Sequence, residues 1–114
     1  MDNNFAPFPH HKLQAYHVAL EFVRLIYATQ ISDADARKHA RGSAASCARN
    51  LAQGAGRRSR ADKRRVYGIA HGELCESVST VELDNAMGGC PREQLGAVYK
   101  LGSRLNAMLT ALTL

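Results

Sequence analysis

Side chains with obvious chemical capacity are concentrated in residues 37–65, where Arg37, Lys38, Arg41, Arg49, Arg57, Arg58, Arg60, Lys63, Arg64 and Arg65 stand against a single acid, Asp62. That window carries +9, whereas the rest of the 114-residue chain carries −4. Guanidinium groups pair well with phosphate oxygens, and clustered cations neutralise polyanions by releasing their counterions. The chemistry indicated is therefore recognition of nucleic acid, acidic protein or anionic lipid. Aromatic residues are almost absent from the basic run. Tyr67 beside it is assigned to the core, so base stacking and sequence-specific reading of single strands are not indicated.

Bond-making chemistry finds less support. Gly54-Ala55-Gly56 follows a helical pattern instead of a strand and lacks the Gly-Lys-Ser/Thr ending of a nucleotide loop. His10, His11, His17, His39 and His71 show no metal-ligand spacing, and neither do Cys47, Cys75 and Cys90. Cys75 and His71 stand four apart on one helical pattern, but no orienting group or oxyanion donor can be named, so Cys75 is expected to be a packed thiol. No catalytic residue, cofactor or metal is assigned. The odd cysteine count, without a CxxC pair or an apolar leader near Met1, points to buried thiols in a cytoplasmic protein. No apolar run has membrane-spanning length.

The elements that must carry the basic residues are helices. Residues 1–10, with Pro7 and Pro9, form an expected arm. From there the spacing predicts helices over about 11–31, 34–53, 60–87 and 91–112 of a single all-α domain. Ser32-Asp33-Ala34-Asp35 and Ser59-Arg60-Ala61-Asp62 both carry a capping signature, with Ser32 and Ser59 as the capping residues. Gly54 is expected to end the second helix in a left-handed conformation, Gly88-Gly89 to close the third, and Pro91 to open the fourth. The inward face of the second helix, Ala36, Ala40, Ser43, Ala44, Cys47 and Leu51, is built mostly from small residues. Gly68 and Gly72 inside the third are expected where a neighbouring helix packs close.

Four long helices with short connections predict an up-down-up-down antiparallel bundle. The first helix carries two apolar stripes, one through Leu13, Tyr16, Leu20, Val23, Tyr27 and Ile31, the other through Ala15, Val18, Phe22, Leu25 and Ile26. The third carries Ile69, Leu83 and Met87 beside its core face. Such surplus predicts a homo-oligomer packed through the first and third helices. Two readings of the basic surface stand. It binds nucleic acid electrostatically and with little sequence preference, through Arg37, Arg41, Arg49, Arg57, Arg58, Arg60, Lys63, Arg64 and Arg65. Alternatively it solvates an outer face, or pairs with Glu73, Glu76 and Glu82 of a neighbouring subunit, in a scaffold ring that engages protein partners.

Arg41 to Arg58, with Ser46, Asn50, Leu51, Ala52, Gly54, Gly56 and Arg57, resembles the S-x-x-x-N-I-A-E-G-x-G-R segment of the four-helix bundle family that includes proteins encoded in intervening sequences of 23S ribosomal RNA genes. Lys12-Leu13-Gln14-Ala15-Tyr16 resembles that family's opening helix, and Ile69 to Glu76 resembles its I-A-x-G-S-L-x-E signature. The likeness extends over residues 12–112. It implies a cytosolic bundle assembled into a closed ring, a pentamer, with no established enzymatic activity. It also implies a hairpin shaped by Ser46, Asn50, Gln53, Gly54 and Gly56, with Asn50 tying the second helix to a neighbour or to loop backbone. The chain is similar, too, to accessory proteins of diversity-generating retroelements, which share the bundle and bind nucleic acid and a reverse transcriptase through a basic surface. Gln53 stands where the family has an acid, and Glu73 where it has a serine.

Overall fold

The computed structural model describes residues 4–114; Met1, Asp2 and Asn3 of the expected arm lie outside them. A 3-10 turn, Pro9–Lys12, precedes α1 (Gln14–Ala28), α2 (Ala34–Ala55), α3 (Arg60–Ala86) and α4 (Arg92–Leu112), and no strand occurs among the described residues. Each helix packs on two others: α1 on α2 and α4, and α3 on α2 and α4, with the α2–α3 pairing the most extensive.

The first helix is shorter at both ends than its apolar pattern suggests. Leu13, at φ −95° and ψ 109°, breaks the chain between the 3-10 turn and α1. At the other end Thr29 turns extended, and its Oγ1 donates to the Leu25 carbonyl at 2.7 Å. Ile31 is buried, yet it reaches the core from a loop. The second helix begins as expected, but its cap is Asp33, whose side chain accepts from the Ala36 N–H at 2.8 Å. Ser32 is left free to serve another contact. Ser59 caps α3 as the sequence predicts, accepting from the Asp62 N–H at 3.1 Å. Gly88 adopts φ +87°, the only positive φ among the described residues, and α3 has ended at Ala86 just before it. Pro91 is the residue preceding α4 and not its first turn.

The core lies between the helices. Ala15, Val18, Ala19, Phe22 and Ile26 of α1 are buried, so the second apolar stripe faces inward. Tyr16, Leu20 and Val23 of the first stripe are only half buried, and Tyr27 is exposed. From α2 come Ala40, Ala44, Cys47, Ala48 and Leu51; from α4, Leu95, Val98, Leu105 and Leu109. Small residues on α2 let α3 approach until the Ser77 hydroxyl donates to the Ala40 carbonyl at 2.8 Å, satisfying a fully buried side chain from the neighbouring backbone. Gly68 and Gly72, by contrast, face open space: a Cβ at either would meet nothing within 4 Å. Of the thiols, Cys47 and Cys90 are buried and Cys75 is exposed, contrary to the packed thiol expected there. No helix of the described residues is long and apolar enough to cross a membrane.

Candidate nucleic-acid interface

The joint between α2 and α3 is built around Gly54. It does not terminate the helix: α2 continues to Ala55, and Gly56 follows in the right-handed region, its N–H donating to the Ala52 and Gln53 carbonyls. What Gly54 provides is space. A Cβ there would lie 2.6 Å from Tyr67 Cε1, so the absence of a side chain lets the buried Tyr67 ring lie against the last turn of α2. Asn50 also differs from expectation. Its Nδ2 donates to the Ser46 carbonyl at 2.9 Å and to Ser46 Oγ at 3.2 Å, one turn back on the same helix, and it ties α2 to nothing else. Gln53 is exposed.

Around this joint the cations divide by the work they do. Lys63 folds back to donate from Nζ to the Ala55 carbonyl at 2.8 Å, where the unpaired carbonyls of a helix end attract positive charge. Asp62 is clasped by Arg65, with Nη2 to Oδ1 at 2.9 Å, and by Arg57, with Nε to Oδ2 at 3.7 Å. The only acid of the basic window is thereby already engaged. Arg58, Arg60 and Arg64 are exposed and make no ion pair or hydrogen bond among the described residues. They project from the same loop and first turns of α3 and constitute the free positive charge of this end.

Arg37 and Arg41 lie toward the opposite end of α2, about 20–27 Å away at 1.5 Å per residue. They are not part of the same cluster. Arg37 Nη1 donates to the Ile31 carbonyl at 2.9 Å. Arg41 places its guanidinium carbon 4.7 Å from the centre of the Tyr27 ring, while Nη2 donates to the Tyr27 carbonyl at 3.3 Å. The nine basic residues that sequence brings together thus separate in space: six at the α2–α3 joint, Arg37 bound to the α1–α2 connection, Arg41 bound to Tyr27 in the last turn of α1, and Arg49, exposed, between the two ends.

A structural carboxylate escaped sequence reasoning altogether. Asp84, buried on α3, accepts from the backbone N–H groups of Ser32 at 2.9 Å, Asp33 at 3.0 Å and Cys90 at 2.8 Å. One side chain therefore pins the α1–α2 connection and the α3–α4 turn to the end of α3. Burial pushes its pKa up, but the bonds from Asp33, Ser32 and Cys90, together with the nearby Arg37 charge, hold the carboxyl below its ordinary value. Gly89 makes room for it, since a Cβ there would fall 2.3 Å from Asp84 Oδ2. A signal was available: Asp84 continues the buried stripe Ala70, Leu74, Ser77, Val81, where a charge needs partners.

Four of the histidines are engaged in ring contacts or hydrogen bonds, and His39, exposed, stands 3.9 Å from the Asp35 carboxylate one turn away. His10 and His11 rings stand 4.4 Å apart, His10 lies 4.6 Å from Tyr16, and His17 Nε2 donates to the His11 carbonyl at 2.8 Å. Among the described residues no group of three or more His, Cys, Asp or Glu is arranged to hold a metal ion. Cys75 is exposed on α3, and His71, one turn earlier, is hydrogen-bonded through Nε2 to the side-chain oxygen of Asn106 on α4. Cys47, buried beneath it, has its pKa pushed up to about 12, by burial first and then by Glu73 and Cys75.

Residues 11–111 match the family model described as 23S rRNA-intervening sequence protein, and the chain belongs to that family. No curated protein matches it.

Proposed function

We propose that this member of the 23S rRNA-intervening sequence protein family is a non-enzymatic, homo-oligomeric bundle that binds nucleic acid electrostatically through the α2–α3 joint. The observation that carries the reading is the set Arg58, Arg60 and Arg64, exposed and unpaired beside an acid that Arg57 and Arg65 already neutralise. The field at this end is therefore available to an external polyanion. Arg57, Lys63 and Arg65 add to the local potential while holding the joint in shape. Arg37 and Arg41 contribute to the fold more than to the contact.

The cyclic order of packing, α1 to α2 to α3 to α4 and back to α1, supports an up-down-up-down arrangement. Exposed apolar side chains, Ile69 and Leu83 on α3 and Met87 just past its end, support self-association. A closed ring, with the pentamer implied by the family resemblance, would repeat the arginine-rich joint around a rim and turn modest contacts into avidity for a long strand. The protein would act in the cytoplasm, as an accessory to a nucleic-acid-processing partner.

Gel-shift titration against duplex DNA, duplex RNA and single strands of scrambled sequence at low salt tests this. Binding to scrambled sequences, weakened by joint replacement of Arg58, Arg60 and Arg64 with Ala at unchanged thermal stability, is expected. No binding to any of these nucleic acids would move the reading to a protein-interaction scaffold.

A further inference from the structure

The chain ahead of α1 carries aromatic rings that the core does not use. No residue of Pro9–Lys12 is buried, and Phe5 and Phe8 just before it stand 44% and 58% exposed. They are nevertheless held in place. The Phe8 N–H donates to His11 Nδ1 at 3.0 Å, and the Phe8 ring meets those of His10 and His11 with centroids 5.9 and 5.6 Å apart. The Phe5 ring lies 5.9 Å from that of His11. All three contacts are tilted or edge-on, at 49° to 78° between planes, and none is a parallel stack. Braced at an angle and exposed, the phenyl rings keep faces open to solvent.

Along the chain these rings are remote from the basic window, but in the fold they share its end of the bundle. The 3-10 turn packs on α2 as well as on α1. His10 lies 4.6 Å from Tyr16, and Tyr16 lines one cleft with Ala48, Arg49, Ala52 and Gln53 from the last turns of α2. The joint and its free Arg58, Arg60 and Arg64 come directly after those turns. Because α1 and α3 each pack on α2, at about 8–10 Å between neighbouring axes, the aromatic turn and the start of α3 are on the order of 20 Å apart. No acid occurs from Asn4 to Leu20, and Lys12 is exposed in the turn, so this surface attracts a phosphate backbone.

We infer that Phe5 and Phe8 form a stacking surface for unpaired bases, and that the strand this end of the protein selects is single. The surface extends the electrostatic contact proposed above, rests on it, and names its substrate. Single-stranded nucleic acid offers phosphates to the arginines and flat aromatic faces to the phenyl rings at once. A duplex keeps its base faces stacked on one another, and an acidic protein brings charge without a row of π-faces. Stacking tolerates any base, in keeping with binding that ignores sequence.

The test compares oligothymidylate, which does not pair with itself, with a duplex of equal length and mixed sequence, by fluorescence anisotropy at low salt. Joint replacement of Phe5 and Phe8 with Ala should leave the melting temperature unchanged, since neither ring belongs to the core. It should weaken binding of the single strand about fivefold or more for each base that stacks, at about 1–3 kcal/mol per base, and leave the duplex within about twofold. The chain has no tryptophan, so Phe8→Trp adds a single reporter whose emission should fall as oligothymidylate is added and hold as duplex is added. An Ala variant that binds the single strand as wild type does, an equal loss on strand and duplex, or constant Trp emission while anisotropy rises overturns the stacking surface and leaves the electrostatic reading standing. A drop in subunit number in native mass spectrometry, with single-strand affinity unchanged, overturns it as well and assigns the rings to a contact between copies. A wild type that binds neither nucleic acid overturns both readings.

Discussion

Replacing Asp84 with Asn probes the buried carboxylate that ties both flanking connections to the end of α3. Oδ2 accepts from Ser32 and Cys90, Oδ1 from Asp33. An Asn in the same rotamer keeps its carbonyl oxygen on the first two and turns an amide N–H toward the Asp33 N–H, donor against donor. One charge-assisted bond is lost, worth about 1.5–3 kcal/mol, and two others weaken to neutral strength, about 1 kcal/mol each. Removing the buried charge returns part of its desolvation cost, so the net loss is about 2–4 kcal/mol at pH 7. That is a large share of the roughly 5–15 kcal/mol typical of a domain. The pH dependence gives the signature. Because the folded carboxyl sits below its ordinary value, its stabilisation is complete above the unfolded pKa of about 3.9 and is lost as pH falls through the folded value. Urea melts of both proteins, at one fixed concentration, should differ by the full amount from pH 7 to about 5 and converge in stronger acid. A variant within about 0.5 kcal/mol of wild type at pH 7, or a difference that does not shrink on acidification, would refute the assigned role.

Glycines on the same protein should respond in opposite senses. Gly54→Ala drives a Cβ into the buried Tyr67 ring, and an overpacking cost of about 1–3 kcal/mol outweighs the gain in helix propensity. Gly68→Ala meets nothing within 4 Å and should stabilise by about 1 kcal/mol, a contrast that thermal melts resolve. A thiol-reactive dye at neutral pH should modify Cys75 rapidly, while Cys47 and Cys90 react only at the rate of unfolding. Equal rates at all three would contradict the burial pattern.

Helix number and most boundaries were legible in the sequence because their causes are local. Ser59 caps α3 with an acid three residues on, and Gly88 carries the left-handed turn after it. Periodicity also revealed both apolar stripes of α1, although it could not say which one faces the core. That choice is made by α4 and α2, whose own faces meet Phe22 and Ile26. Less legible were features whose partners are distant in sequence. Asp84 binds Ser32 and Asp33, some fifty positions away, and no spacing rule connects them. Gly54 looked like a helix terminator because glycine so often is one; its actual role depends on a ring thirteen residues further along. The basic window was legible as composition, but sequence proximity concealed that α2 separates Arg37 and Arg41 from the joint by several turns. Nor could charge counting tell the engaged Arg57, Lys63 and Arg65 from the free Arg58, Arg60 and Arg64. The partition follows from one carboxylate, Asp62, and one helix end at Ala55.

The central claim, that three unpaired arginines at the α2–α3 joint meet a polyanion, is tested most directly by the salt dependence of duplex binding. Fluorescence anisotropy across a salt series should give a straight line of log K against log salt. Joint substitution of Arg58, Arg60 and Arg64 with Ala should flatten its slope by about 2.7 for every subunit in contact, at roughly 0.9 per phosphate neutralised. A variant that binds with the wild-type slope, or a wild type that does not bind at low salt, would contradict the account.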